Sequence, residues 1–287
     1  MDSEKERSIL TIACPDRTGI VAAVAGFLAN QDCFIAESSH FGDMKTGKFF
    51  MRTVYLRGAK TPSQTALFAK FSEIAKPFQM DWDIYDARAR PKVLILVSRF
   101  DHCLNDLLYR YRTGALGMDI PAIVSNHPDL AELANWHRIP FHHFLVTEKT
   151  KGEQEARILA LIEESGAELV ILARYMQILT PEFCRRLSGR IINIHHSFLP
   201  GFKGAKPYQQ AHERGVKLIG ATAHYVTPNL DEGPIIEQEV ERVDHAGTIK
   251  EFIHVGRDIE SVVLARAVRY HLERRVLLHG KKTVVFR

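Results

Sequence analysis

The stretch IINIHHSFLP, residues 191–200, ends an apolar run with Asn193 and His195, two residues apart, and follows them with His196 and Ser197. Further along stand another histidine, His224, and an acid, Asp231. An amide that donates, imidazoles that donate or accept and a carboxylate that accepts are together able to stabilise a developing charge and to move a proton. One histidine at a strand end is more often structural than catalytic, so its company carries the reading. Between residues 191 and 236 the chain holds a polar strand end, the Gly/Pro-rich loop FLPGFKGAKP, a second strand with His224, and the loop PNLDEGP with Asp231. Polar groups converging on adjacent strand ends are the layout of an active site in an α/β fold.

Such a site needs a sheet to carry it. The apolar runs KVLILV, PAIVS, ELVILA, RIINIH and GATAHYV are each followed by a loop or an amphipathic stretch, which predicts a mostly parallel, Rossmann-like sheet covered by helices on both faces. Ligands of open sheets bind beyond the carboxyl ends of the strands, where Asn193 and His195 fall. A helix over 258–278 and a short strand, TVVFR, close the chain. Upstream the pattern differs. SILTIAC reads as a strand, PDRTG as a turn, and Ile20, Val21, Val24, Phe27 and Leu28 as one face of a helix that Asp16 or Thr18 can cap. Two strands, CFIAESSHF and KFFMRTVYL, flank the turn GDMKTG, and a helix over 62–75 and a last strand, DWDIYD, follow. This order, βαββαβ, predicts a ferredoxin-like first domain over residues 7–86, a linker at ARARP, residues 87–91, and a second domain over 92–287.

Composition excludes several classes. The chain has 287 residues, 46% hydrophobic and 25% charged, the proportions of a folded enzyme rather than a disordered or fibrous protein. Its 38 basic and 34 acidic residues form no block of the kind a nucleic-acid arm shows. No apolar run approaches membrane-spanning length, and the opening MDSEKERS is charged where a signal peptide is apolar, so a cytoplasmic protein is expected. Cys14, Cys33, Cys103 and Cys184 lie far apart with no C-x-x-C pair, and are expected as reduced, buried thiols rather than a disulfide framework or metal site.

NIHHSFLP, GAKPYQQA, GATAHYVT and LDEGPII, in that order, make residues 92–287 resemble the folate-dependent formyltransferase family. The resemblance implies that Asn193, His195 and Asp231 are the catalytic group. It also implies that LARYMQIL, residues 172–179, holds the pterin ring of the folate, giving Met176, Gln177, Ile178 and Leu179 as substrate-binding residues with His224, Thr227, Pro228 and Asn229. The chemistry suits these types: attack on the formyl carbon at the 10-nitrogen of tetrahydrofolate creates a negatively charged tetrahedral oxygen, to which Asn193 and His195 can donate. Asp231 can accept a proton from the nucleophile, directly or through water, and orient His195. Stabilising the LDEGP turn is the plain alternative for Asp231, and His196 and His40 read as structural or peripheral. No cofactor or metal is expected.

In the glycinamide ribonucleotide branch of that family, a glycine-rich turn and a helix N-terminus hold the acceptor's phosphate. Here VLILVSRFDHCLNDLL has no glycine between Pro91 and Gly114, and Asp101, as a helix cap, would occupy the N–H groups a phosphate needs. The acceptor site reads as closed and water as the substitute. The chain therefore resembles the hydrolytic branch, the 10-formyltetrahydrofolate deformylases, which implies release of formate and tetrahydrofolate, supply of formate for purine synthesis and balance of one-carbon pools. The first domain resembles an ACT domain, with PDRTGI as its first turn. That resemblance implies a homo-oligomer and an amino-acid effector, such as methionine or glycine, near Asp16, Arg17, Thr18 and Gly19, although any βα turn favours Asp and Gly. Two other readings stand beside it: a formyltransferase acting on glycinamide ribonucleotide or initiator tRNA, and a folate-sensing regulator without catalysis. A tRNA enzyme would want a basic extension, whereas the chain stops soon after its last predicted helix. Retention of Asn193, His195 and Asp231 speaks against the regulator.

Overall fold

The computed structural model describes residues 7–201 and 207–287. Residues 1–6 of the charged opening segment, and residues 202–206 of the loop FLPGFKGAKP with the start of GAKPYQQA, lie outside the described residues. The chain divides into two compact units, one of Met1–Ala89 with Glu273–Leu277 and Val284–Arg287, the other of Arg90–Leu272 with Leu278–Thr283.

The first unit follows the predicted order: β1 (Arg7–Pro15), α1 (Ile20–Asn30), β2 (Cys33–Asp43), β3 (Lys48–Arg57), α2 (Gln64–Ala75) and β4 (Asp81–Asp86). Its sheet runs β2-β3-β1-β4, antiparallel throughout, which is the ferredoxin-like arrangement. Alternate residues of β1, Leu10, Ile12 and Cys14, join Val24 and Leu28 of α1 and Leu67 and Phe71 of α2 in one core. The opposite face of the sheet is covered too. There Leu277, Phe286 and Val284 pack with Phe50 and Ala13, so β3 is buried along most of its length. Neither Asp16 nor Thr18 caps α1: the cap is Gly19, at φ 96, without a side-chain hydrogen bond. Only glycine takes that left-handed turn freely, and its carbonyl accepts from Ala23 N at 2.9 Å. Ser63 caps α2, its hydroxyl accepting from Ala66 N at 3.3 Å.

The second unit carries a seven-stranded sheet, ordered β11-β10-β9-β8-β5-β6-β7. The strands are β5 (Val93–Val97), β6 (Ile123–Ser125), β7 (Phe141–His143), β8 (Leu169–Ala173), β9 (Ile191–His195), β10 (Leu218–Tyr225) and β11 (Ile235–Arg242). Between them run α3 (His102–Arg112), α4 (Ala131–Trp136), α5 (Lys151–Ser165), α6 (Pro181–Arg186) and α7 (Pro207–Glu213), with α8 (Ile249–Leu272) after β11. Every residue of β5 and β8 is buried, as a parallel sheet with both faces covered requires.

The parallel rhythm stops at β9. β10 is antiparallel to β9, and β11, which the apolar pattern does not announce, is antiparallel to β10. A connection as short as that between β10 and β11 cannot hold a crossover helix, so the chain returns as a hairpin. The last helix spans 249–272 rather than 258–278. Thr248 Oγ1 accepts from Glu251 N at 3.3 Å while Glu251 Oε2 accepts from Thr248 N at 2.6 Å, a reciprocal capping box that starts α8 a turn and more earlier. Arg274, at φ 54, breaks the helical path, and β12 (Val276–His279) then pairs with β13 (Lys282–Val285).

Candidate active site

β9 delivers Asn193 and His195 from a strand whose Ile191, Ile192 and Ile194 are buried. On the neighbouring strand His224 lies directly across from Asn193, which brings Asn193 Nδ2 within 3.3 Å of His224 Nε2. His224 Nδ1 stands 2.9 Å from the carbonyl of Tyr225 and must carry its proton there, leaving Nε2 as the acceptor for Asn193. Burial pushes the His224 imidazole below its ordinary value and keeps it neutral. His224 therefore fixes which way the Asn193 amide faces. The β10–β11 register slips between Ala223 and His224, a bulge of the kind that re-aims side chains beside sites.

Asp231 arrives from the hairpin loop in a left-handed conformation, φ 56, which aspartate tolerates better than most residues. Gly233 makes the approach possible: a Cβ there would lie 1.6 Å from the carbonyl oxygen of Tyr225, and Tyr225 N donates to Pro234 O at 2.9 Å. The loop so held sets Asp231 Oδ1 3.3 Å from His195 Nδ1 and 3.8 Å from His224 Nε2. Burial works to raise the Asp231 carboxyl, but its interactions with the neighbouring imidazoles, the hydrogen bond from His195 first, outweigh it and hold the group below the usual carboxylate range. With Nδ1–H turned to Asp231, His195 presents Nε2, which is buried and has no partner among the described residues. Thr222 Oγ1 locks the turn after β9, donating to Ser197 O at 2.9 Å and accepting from Leu199 N at 3.0 Å.

The segment predicted to hold the pterin is pinned at both ends. Met176 N donates to Ser98 Oγ at 2.9 Å, Gln154 Nε2 donates to Tyr175 Oη at 2.7 Å, and Glu155 accepts from Thr180 N at 2.8 Å and from the Thr180 hydroxyl. Sequence reasoning missed Ser98, Gln154 and Glu155. A signal existed, because Glu155 lies three and seven positions before Ile158 and Ile162, on the buried stripe of α5 where an unpaired acid is costly.

One cavity of about 840 Å³ gathers Asn193, His195 and Asp231 with Met176, Gln177, Ile178, Leu179, His224, Thr227, Pro228 and Asn229. Asp16, Arg17, Thr18 and Gly19 stand apart, exposed in the β1–α1 turn of the first unit, where Asp16 N donates to Gly47 O and Arg17 to Pro77 O. The cavity is also lined by Phe100, His102, Arg174, Tyr208, Arg257 and Glu260. Glu260 is buried, and both its oxygens are engaged: Tyr208 Oη donates to Oε1 at 2.5 Å, while His102 Nε2 and Arg174 Nε lie 2.7 and 3.2 Å from Oε2. Burial works to raise this carboxyl too, and the His102 bond, the Arg174 charge and the Tyr208 bond bring it below the usual range.

Asp101 does not play the part expected of it. It sits at the cap position of α3 but makes no side-chain cap bond, because its Oδ2 accepts instead from Asn105 Nδ2 at 3.0 Å. Phe100 and His102, its neighbours, are the residues that line the cavity there. Ligand atoms of His102, Cys103 and Glu260 lie within 4.8 Å of one another. Burial raises the Cys103 thiol well above its ordinary value, and its retained proton makes it a poor metal ligand, while Glu260 is already taken by hydrogen bonds. All four cysteines are free and buried. No described helix is long and apolar enough to cross a membrane.

A family model described as formyl transferase matches residues 91–268. A formyltetrahydrofolate deformylase of Corynebacterium sp. (strain P-1) is 49% identical over 285 residues, spanning 99% of this chain and 100% of its own. One of Bacillus subtilis (strain 168) is 46% identical over 286 residues, spanning 99% of this chain and 95% of its own. A solved formyltetrahydrofolate deformylase from Burkholderia mallei superposes with a TM-score of 0.93 at 57% identity, covering 98% of this chain and 100% of that one.

Proposed function

The chain belongs to the formyl transferase family, and from that premise we propose that it hydrolyses 10-formyltetrahydrofolate to formate and tetrahydrofolate. One observation carries the reading within the site: Asn193, His195 and Asp231 line one cavity with Met176–Leu179, and the same cavity is lined by side chains already bonded to one another, Tyr208 and His102 to Glu260. A folate has room beside Met176–Leu179, and water is the acceptor that needs no further subsite. In this reading water adds to the formyl carbon as Asp231, directly or through His195, takes a proton from it. The Asn193 amide donates to the tetrahedral oxygen, joined by His195 Nε2 once that nitrogen has taken up the water's proton, and the carbon–nitrogen bond breaks as the proton is passed on to N10. The chemistry is complete with these side chains and needs no metal or cofactor.

The first unit has its own part in this proposal. Its ferredoxin-like sheet and PDRTGI turn are those of the ACT resemblance, and we assign it a regulatory and assembling part in a cytoplasmic homo-oligomer, with methionine or glycine as candidate effectors. Formate so released would serve purine synthesis.

The test is to measure formate from 10-formyltetrahydrofolate with and without glycinamide ribonucleotide. Formate should appear at the same rate in both, with no formylated ribonucleotide; stoichiometric formylation would replace the hydrolase by a transferase. Asp231→Asn keeps shape and tolerates the left-handed backbone, so turnover should vanish while folate binding stays within about tenfold. Turnover near that of the unaltered protein would remove Asp231 from the mechanism.

A further inference from the structure

Tyr208 reaches Glu260 because of a glycine on the same helix as that carboxylate. Gly256 lies one turn before Glu260 on α8, and a Cβ there would stand 2.1 Å from Tyr208 Cζ. The absent side chain lets the phenol ring lie against the helix. From His195 the contacts are continuous: its ring packs 5.1 Å from that of His196, which packs 6.3 Å from that of Tyr208. Phe100 adds a wall, its ring 5.4 Å from the Arg174 guanidinium and 5.3 Å from that of Arg257. A buried carboxylate is an expensive way to fill space, since an apolar side chain would close the same volume at lower cost. What it provides is one acceptor that fixes two donors, His102 and Tyr208, with the Arg174 charge beside it.

We propose that the network of Tyr208, Glu260, His102 and Arg174 determines acceptor specificity, reserving the attacking position for water by occupying internally the carboxylate that would otherwise receive the N–H groups of a primary amine. The proposal rests on the hydrolytic reading. With water, oxygen bonds to the formyl carbon, the bond to N10 breaks, one proton goes to N10 and the other leaves with solvent, giving formate. With an amine, nitrogen bonds to the same carbon, the same bond breaks, and one amine proton goes to N10, giving a formamide. The two outcomes share Asn193, His195 and Asp231 and differ only in what can stand beside them. Freeing one oxygen of Glu260 gives an amine an acceptor for its N–H groups.

The experiment supplies the full-length protein with 10-formyltetrahydrofolate and excess glycinamide, and quantifies formate and formylglycinamide by mass spectrometry. Tyr208→Phe releases Oε1 of Glu260 by loss of a single hydroxyl, and His102→Ala removes the shorter of the two contacts on Oε2, leaving the Arg174 guanidinium there. Either should raise the ratio of formylglycinamide to formate by about tenfold over the unaltered protein. His102→Gln, which can still donate to Glu260, should return the ratio toward its original value. An unchanged ratio in any variant that still releases formate would overturn the proposal. Loss of both products from folded variants would also overturn it, by assigning the network to hydrolysis itself. If His102→Ala fails to fold, Tyr208→Phe, which removes one atom, decides the matter. Failure of the hydrolytic reading would look different, since the unaltered protein would then release no formate at all.

Discussion

The catalytic constellation is held by imidazoles in different states. His224 is neutral and gives its lone pair to Asn193; His195 is directed by Asp231 and keeps one nitrogen for the cavity. His196, packed between His195 and Tyr208, is forced down to about 3, by burial first and by the Arg174 charge next. That shift has a sign and a window. Between about 6.5, the ordinary imidazole value, and about 3, the unfolded chain binds a proton at His196 that the folded chain refuses, so stability falls with pH over that range. The depressed carboxyl of Asp231 stabilises the fold above the ordinary carboxylate value of 3.8 and loses that contribution only as pH falls below it. His196→Gln, which takes no proton, should therefore lose stability less steeply than the unaltered protein between pH 6 and 4, read from urea midpoints at intervals of pH. Parallel slopes would mean that His196 is not buried neutral.

Among the elements, the β10–β11 hairpin does the positioning, and its tightest point is Gly233. A methyl group there must displace the carbonyl of Tyr225 or the loop that carries Asp231. Gly233→Ala should cut kcat by about a hundredfold, with a smaller effect on folate binding, because it moves the carboxylate and leaves the Met176–Leu179 segment pinned by Ser98 and Glu155. Equal losses in kcat and affinity would point to general unfolding of the pocket. This hairpin also marks how far the sequence could be read. Asn193 and His195 were legible because a polar pair closing an apolar strand is anomalous by pattern alone, and LDEGP because a turn with an acid and a close-packing glycine is itself a signal. Strand direction was not, since GATAHYV has the same apolar character whether its neighbours run with it or against it. α8 began too late in the reading because Thr248 and Glu251 stand among other polar residues, and their spacing marks a helix start only once a cap is sought there. Glu260 was invisible for the opposite reason. An acid on a long polar-rich helix reads as solvated, and nothing local announces that Tyr208, His102 and Arg174 come to meet it from other elements.

Across the whole molecule, the C-terminal residues are shared between units in a way the domain order does not suggest. Glu273–Leu277 and Val284–Arg287 belong to the first unit, where Arg275 Nη1 lies 3.1 Å from Glu37 Oε1 and Phe286 covers Phe50. Phe286→Ala should cost roughly 3 kcal/mol of that unit's stability through the cavity it leaves. Amide hydrogen exchange would locate the loss: β3 should open more readily while β8 keeps its protection, and uniform acceleration would contradict the division. The same feature sets an order of events during synthesis. Glu37 and Arg275 are 238 residues apart in the chain. At translation speeds of about 5–20 residues per second, the sheet that leaves the ribosome first waits on the order of ten seconds or more for the segment that covers its second face. Until then Phe50 faces solvent on a nascent sheet, and a message truncated near its end yields a chain primed for chaperone capture or aggregation.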